Sequence, residues 1–173
     1  MKKKYIILIA VAAVLVVLSV MTSFLKSISG TVIDSETGRP VENAVVLVEW
    51  TRRQGIGDYH TVSVRTAETI TDKEGKFHVF GPLHSFVDPP DVTIYKKGYV
   101  AWNSLYAFPT WKKRADFVWK EQSLISLEPF RNEYSRSEHV YFLHVVTHWG
   151  KLINEAYRWE ELEREKQKCK SLL

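Results

Sequence analysis

Cysteine is almost absent from this 173-residue chain: Cys169 stands alone near the C-terminus, so no intramolecular disulfide can form. In an oxidising compartment that thiol stays free or pairs with another molecule. Acids are absent from the first 26 residues, which hold Lys2, Lys3, Lys4 and Lys26. Those four account for the whole formal charge of +4, because the remaining 20 basic residues face 20 acids. The pI of about 9.1 therefore reflects one terminal segment and no basic face, which argues against nucleic-acid binding. Arg52-Arg53 and Lys112-Lys113-Arg114 read as solvated loop charges. A G-x-S-x-G nucleophile elbow and a glycine-rich phosphate loop are both missing.

What the chain does have is hydrophobic mass. Hydrophobic residues make up 45% and aromatics 13%, enough for one domain with an appendage but not for two full domains. The longest apolar run, residues 5–25, reads YIILIAVAAVLVVLSVMTSFL, without charge or proline. As a helix it spans roughly 30 Å, the thickness of a hydrocarbon core. Three lysines precede it and one follows, which places the N-terminus in the cytoplasm and residues from 27 onward outside. A cleaved signal peptide is the rival reading. It needs a small-x-small site, and Ser19-Val20-Met21-Thr22-Ser23-Phe24 offers no A-x-A match. No cysteine follows for lipoprotein processing. Residues 1–27 are expected to be a single-pass signal anchor, and either reading exports the rest of the chain.

Beyond Lys26 the hydrophobic period shortens. Residues 28–34 (ISGTVID) are β-branched and lead into a turn cluster at 35–40 that contains Gly38 and Pro40. Residues 44–50 (AVVLVEW) are nearly all apolar, as in a strand covered on both faces. Residues 60–65 alternate, with Val62 and Val64 on one face. A second turn at 71–75 precedes 76–80, where Phe77 and Val79 share a face; 91–97 and 123–128 repeat the pattern. About seven short strands separated by Gly, Pro and Asp turns predict a mainly β fold, a seven-stranded antiparallel β-sandwich over residues 28–130.

The run Ile28-x-Gly30-x-Val32-x-Asp34, then Thr37-Gly38-x-Pro40, then Ala44-Val45-Val46 resembles the opening of the carboxypeptidase regulatory-like domain. Thr71-Asp72-x-x-Gly75-x-Phe77, Pro82, Val92-x-Ile94-x-x-Lys97-Gly98-Tyr99 and Ile125-Ser126-Leu127-Glu128-Pro129 continue the likeness over residues 28 to 129. The resemblance implies a transthyretin-like sandwich and says little of function, since sites and not folds carry function. It is to an accessory domain: no histidine is followed by Glu three residues on, so the H-x-x-E zinc pair of the metallocarboxypeptidases is missing. The Tyr-Arg-Gly-Ser ending of the purine-degrading transthyretin-like hydrolases is missing too. Asn43 departs from the family, which often has glycine there. Residues 51–59 and 101–122 look inserted.

The second insertion is rich in rings. Trp102, Tyr106, Phe108, Trp111, Phe117 and Trp119 lie beside Lys112, Lys113 and Arg114. Trp102, Tyr106, Trp111 and Trp119 are the candidate binding residues, for sugar stacking, peptide or lipid headgroups. The competing reading is a satellite core beneath the C-terminal helix. An exposed coplanar row favours the first, buried rings the second.

From Ser135 the period becomes helical. Ser135-x-x-Glu138 is a capping box, and Phe142, Val145, Val146, Trp149, Ile153, Ala156 and Tyr157 form one stripe. One C-terminal amphipathic helix is expected within 131–173, weakened at Gly150 and solvated beyond Tyr157. His144 and His148, at i and i+4, are weak candidate zinc ligands lacking the central glutamate of H-E-x-x-H. No cofactor is expected. The chain reads as a non-enzymatic, membrane-anchored envelope protein. Its extracytoplasmic sandwich, periplasmic or extracellular, binds a protein or scaffolds an assembly, or alternatively binds an envelope glycan through the 101–122 insertion.

Overall fold

A strand covered on both faces must lie in a middle layer, and residues 44–50 do. The computed structural model describes all residues except 1, 26, 56, 83–86, 116, 121, 148, 149, 172 and 173, with the side chains of 2, 3, 22–25, 170 and 171 also undescribed. In order, the elements are α1 (Lys2–Leu25), β1 (Ile28–Asp34), β2 (Val45–Gln54), β3 (His60–Ile70), β4 (Lys76–Val79), β5 (Asp91–Tyr95), β6 (Trp102–Asn103), β7 (Tyr106–Ala107), β8 (Lys112–Lys113), β9 (Ser123–Leu127), α2 (Arg136–Val146) and α3 (Lys151–Ser171). One sheet has the order β4-β1-β9, a second β3-β2-β5-β6, and β7-β8 form a small ribbon. Val32, Phe77, Ile125 and Leu127 of the first sheet meet Val46, Val48, Trp50 and Ile94 of the second in the main core. On the far face of the second sheet, Leu47 and Tyr95 pack against Phe142, Leu143, Val146 and Ile153 of α2 and α3. The protein is thus a β-sandwich with a helical third layer, preceded by one apolar helix.

Three expectations need correction. The sandwich is not wholly antiparallel: β1 and β9 pair in parallel, from Gly30 opposite Ser123 to Asp34 opposite Leu127. Residues 51–59 are not a loop insertion throughout, because β2 and β3 continue their ladder past an irregularity at Trp50/Thr51 out to Gln54 opposite His60. The C-terminal region holds two helices. Ser135 caps α2 by accepting from the Glu138 amide, but the helix stops at the Thr147 C-cap. The buried stripe therefore differs from the one predicted: His139, Val140, Phe142, Leu143 and Val146 face inward, while Val145 is exposed and Trp149 lies outside the described residues.

Glu68 of β3 starts the second helix. Its carboxylate accepts from the Leu152 and Ile153 amides at 3.1 and 2.9 Å, satisfying two of the free N–H groups of α3. Gly150 makes room for it, since a Cβ there would sit 2.2 Å from Glu68 Oε1.

The residues that carried the family resemblance are joints of the fold. Thr71 Oγ1 donates to Val41 O and accepts from Ala44 N, closing the end of the sandwich. Asp72 accepts from the amides of Glu74 and Lys76, and Gly75 follows at φ +71 with its Cα against Val32 O, where a Cβ would approach to 2.3 Å. Asp34 accepts from the Glu36 and Thr37 amides and from Tyr99 Oη at 2.9 Å, joining the first turn to the end of β5. Asn43, the departure from the family, adopts φ +57, the left-handed region that asparagine tolerates better than most residues.

The Thr37 amide, then Tyr99, hold the Asp34 carboxyl below its ordinary value. A carboxyl lowered by folding stabilises the protein above its unfolded value, and that gain is lost as pH falls through the folded value. Asp91, which burial raises, works in the opposite sense. Asp34→Asn is expected to lower the urea midpoint at pH 7 and to shrink the loss of stability between neutral pH and pH 3. An unchanged acid limb would remove Asp34 from the account.

Candidate functional site

The aromatic candidates divide between two cores. Trp102, on β6, is 8% exposed and meets Phe117 and Trp119 edge-on, at interplanar angles of 78° and 79°. Trp119 meets Phe77 at 86°. The Arg114 guanidinium lies 5.3 Å from the Trp102 ring and donates through Nε to Asn103 O, so this cation is not a solvated loop charge. Tyr106 and Trp111 turn instead toward α2, where Trp111 packs on Phe142 at 5.0 Å and Tyr141 at 5.9 Å. Among these described rings no exposed coplanar row forms, the arrangement that would have favoured sugar stacking. The insertion also supplies the edge strand β6, paired with β5 through Thr93–Asn103 and Ile94–Trp102.

His144 is exposed and stacks at 5.8 Å on Tyr157, while His148 lies outside the described residues. No group of three metal-ligating side chains occurs among the described residues.

A buried polar cluster beneath α3 was missed from sequence. Glu160 is fully buried and accepts from Tyr95 Oη at 2.7 Å and from Arg136 Nη1 at 2.9 and 3.1 Å. His139, equally buried, accepts the Ala101 N–H through Nε2, which leaves its ring proton on Nδ1, 3.4 Å from Glu160 Oε2. Burial opposes ionisation of Glu160, but His139, Tyr95 and Arg136 outweigh it and hold the carboxyl below its ordinary value. Burial, then Glu160, push the Tyr95 phenol upward. Arg136 also lies 3.7 Å over the Phe130 ring. Glu160, Tyr95 and Arg136 are committed to one another, while His139 Nδ1 approaches Glu160 without a formed hydrogen bond among the described residues; the cluster welds α2 and α3 to the second sheet. The spacing Ile153, Ala156, Glu160 places the glutamate on the buried face; the charge-rich composition of 160–168 hid it.

The open feature lies elsewhere, where the two sheets meet along β3 and β4. A cleft of about 1240 Å³ runs there over Ile28, Trp50, Phe77 and Trp119, with Lys76, His78 and Asp88 among its polar lining residues. β3 and β4 are the edge strands of different sheets, so each has one side of its backbone without a neighbouring strand. The indole nitrogens of Trp50 and Trp119, both cleft-lining residues, are themselves shut off from solvent and have no hydrogen-bond partner among the described residues. Polar groups buried this way are uncommon and costly. Of the cleft's carboxylates, Asp72 is engaged by its own turn and Asp88 makes a long contact of 3.8 Å with the exposed Arg53, while the His78 ring lies edge-on to Phe80 at 4.6 Å. The cleft offers edge backbone and ring surface, which suit an extended chain more than bond-making chemistry.

No family model and no curated protein matches the chain. Among solved structures it is similar to a streptococcal ancillary pilin at 13% identity and TM-score 0.32, covering 60% of this chain and 29% of that one. It is similar to a shaft pilin of Lactobacillus rhamnosus GG at 18% identity and TM-score 0.34, covering 61% and 46%. It is also similar to a 9R-lipoxygenase from Cyanothece PCC8801 at 14% identity and TM-score 0.33, covering 69% and 22%. The chain spans less than half the length of each, and at these scores no property of those proteins transfers to it.

Proposed function

We propose that the chain is a non-enzymatic, membrane-anchored module. In this reading α1 crosses the bilayer, and the sandwich, of carboxypeptidase regulatory-like type, stands on the extracytoplasmic face. It takes an extended stretch of a protein partner into the cleft between β3 and β4. One observation carries the anchor. The window Lys4–Met21 of α1 is long and apolar enough to cross a hydrocarbon core and is not buried among the described residues, with Leu8 72% and Val16 63% exposed, which supports an anchor and is shared by an export signal. The free backbone edges of β3 and β4 support a polypeptide occupant, since an added strand pairs with them through main-chain groups. The joints made by Asp34, Thr71, Asp72 and Tyr99 support the kinship of the sandwich.

Alkaline carbonate extraction tests the anchor: the full chain is expected in the membrane pellet, with its sandwich cleaved by protease added outside intact cells. Release into the supernatant would sink it. For the cleft, a photocrosslinking residue at His78 is expected to give a discrete protein adduct that the same residue at Glu36, in the turn at the other end of β1, does not. Equal labelling from both positions, or none, would reject the cleft as the binding surface.

A further inference from the structure

The anchor and the longest hairpin of the sandwich leave the same end of the molecule. α1 ends at Leu25 and β1 begins at Ile28, so three Cα steps, roughly 11 Å, are the longest possible tether. The first residues of β1 therefore face the membrane closely. Ile28, at the start of β1, pairs with Val79, whereas Ala44, just before β2, is tied through Thr71 to Val41, whose amide bonds Val32 O in the far half of β1; Trp50, six residues along, therefore lies toward the membrane-near end of β2. Beyond Trp50 the β2–β3 ladder runs four more rungs, Thr51–Ser63 to Gln54–His60, away from the sandwich. At about 3.3 Å per residue that is roughly 13 Å, as long as the tether.

The projecting tip has the composition of a lipid–water interface. Tyr59 is 68% exposed, and Arg52, Arg53, Gln54 and His60 are exposed as well. Asp58 is the one acid between Thr51 and Val64. Arg53 reaches Asp88 at 3.8 Å, but with its own side chain 74% exposed that pair is weak and leaves the guanidinium available. Phe80, just past Val79, is 53% exposed at the same end, and Val118, next to the cleft-lining Trp119, is 70% exposed. Tyrosine and arginine together partition to the headgroup layer, where the ring lies at the boundary between headgroups and acyl chains and the cation meets phosphate.

We infer that the tip of the β2–β3 hairpin docks on the headgroup layer of the same membrane that holds α1, with Tyr59 inserted and Arg52 and Arg53 on lipid phosphates. This rests on the anchor reading above. Docking gives the sandwich a second point of attachment and fixes its orientation, so that the cleft faces along the membrane surface. The test uses the full chain with Cys169→Ser and one labelled cysteine in turn at Thr61→Cys, Leu15→Cys and Lys73→Cys. The label is an environment-sensitive fluorophore, in vesicles of phosphatidylethanolamine and phosphatidylglycerol carrying nitroxide lipids. The expected result is several-fold stronger quenching at position 61 than at position 73 by headgroup nitroxide, reduced by Arg52→Glu with Arg53→Glu. Position 15 is expected to be quenched by mid-chain nitroxide. Quenching at 15 with 61 no different from 73 would overturn the docking and leave the anchor standing. No quenching at 15 would overturn the anchor and the docking with it.

Discussion

Glu160→Ala is expected to cost roughly 3–5 kcal/mol, the penalty of leaving a buried ionic partner uncompensated. The substitution strands Arg136, 17% exposed, together with the Tyr95 hydroxyl and the His139 Nδ1–H, all beneath α3. In a folded unit of this size such a loss lowers the thermal midpoint by roughly 10–20 °C. The informative partner is a double variant, Glu160→Leu with Arg136→Met, which removes both charges and keeps apolar volume. It is expected to recover much of the loss, because a buried pair replaced by hydrophobic side chains is often neutral. Urea titration of the detergent-solubilised full chain measures both. A wild-type midpoint for the single variant would mean that water reaches the cluster and that the helices are not welded to the sheet as described.

Trp102→Ala is expected to be comparably severe, about 3–5 kcal/mol, the usual cost of deleting a large buried ring. The ring meets Phe117 and Trp119 edge-on and lies under the Arg114 guanidinium, and its strand is the edge of the middle sheet. Trp111→Ala, at a ring 38% exposed, is expected to cost less. The contrast separates two roles the sequence could not distinguish. A residue kept only to stack on a ligand leaves the folding midpoint unchanged when removed. If Trp102→Ala folds as stably as the parent, the ring is a binding residue after all and the glycan reading returns.

Local chemistry was legible in the sequence, and long-range pairing was not. The unbroken apolar run of residues 44–50 announced a strand covered on both sides, and β2 indeed lies between the main core and the helices. Ser135 marked the start of α2 through its cap, a property of a few adjacent residues, whereas Gly150 was read only as a weak point in a single helix, because the Glu68 side chain it makes room for comes from a distant strand. The parallel partnership of β1 with β9 could not be read, because alternation specifies which face is buried and says nothing of which strand lies alongside. The rings at 102–119 were visible as a cluster, but their division between two cores depends on where α2 docks. Glu160 was misread as solvent-facing because its composition was weighed above its position. It falls on the Ile153–Ala156 face, where a carboxylate is tolerable given partners that come from Tyr95 and Arg136, 65 and 24 residues away. The cleft between β3 and β4 leaves no signature in sequence at all, since it is the space between two edges.

The parallel contact between β1 and β9 also sets an order of events during synthesis. β1 is the first strand to follow α1 and becomes the central strand of its sheet, yet one of its neighbours ends at Leu127. The β2–β3 hairpin can close from nearby residues, whereas β1 must wait, apolar and unpaired on one side, until most of the chain has emerged. Closure over such a separation is intrinsically slow. In the anchored arrangement proposed above, the exposed strand is held beside the membrane meanwhile, so the interval before β9 arrives is when this protein is most open to mispairing with its neighbours.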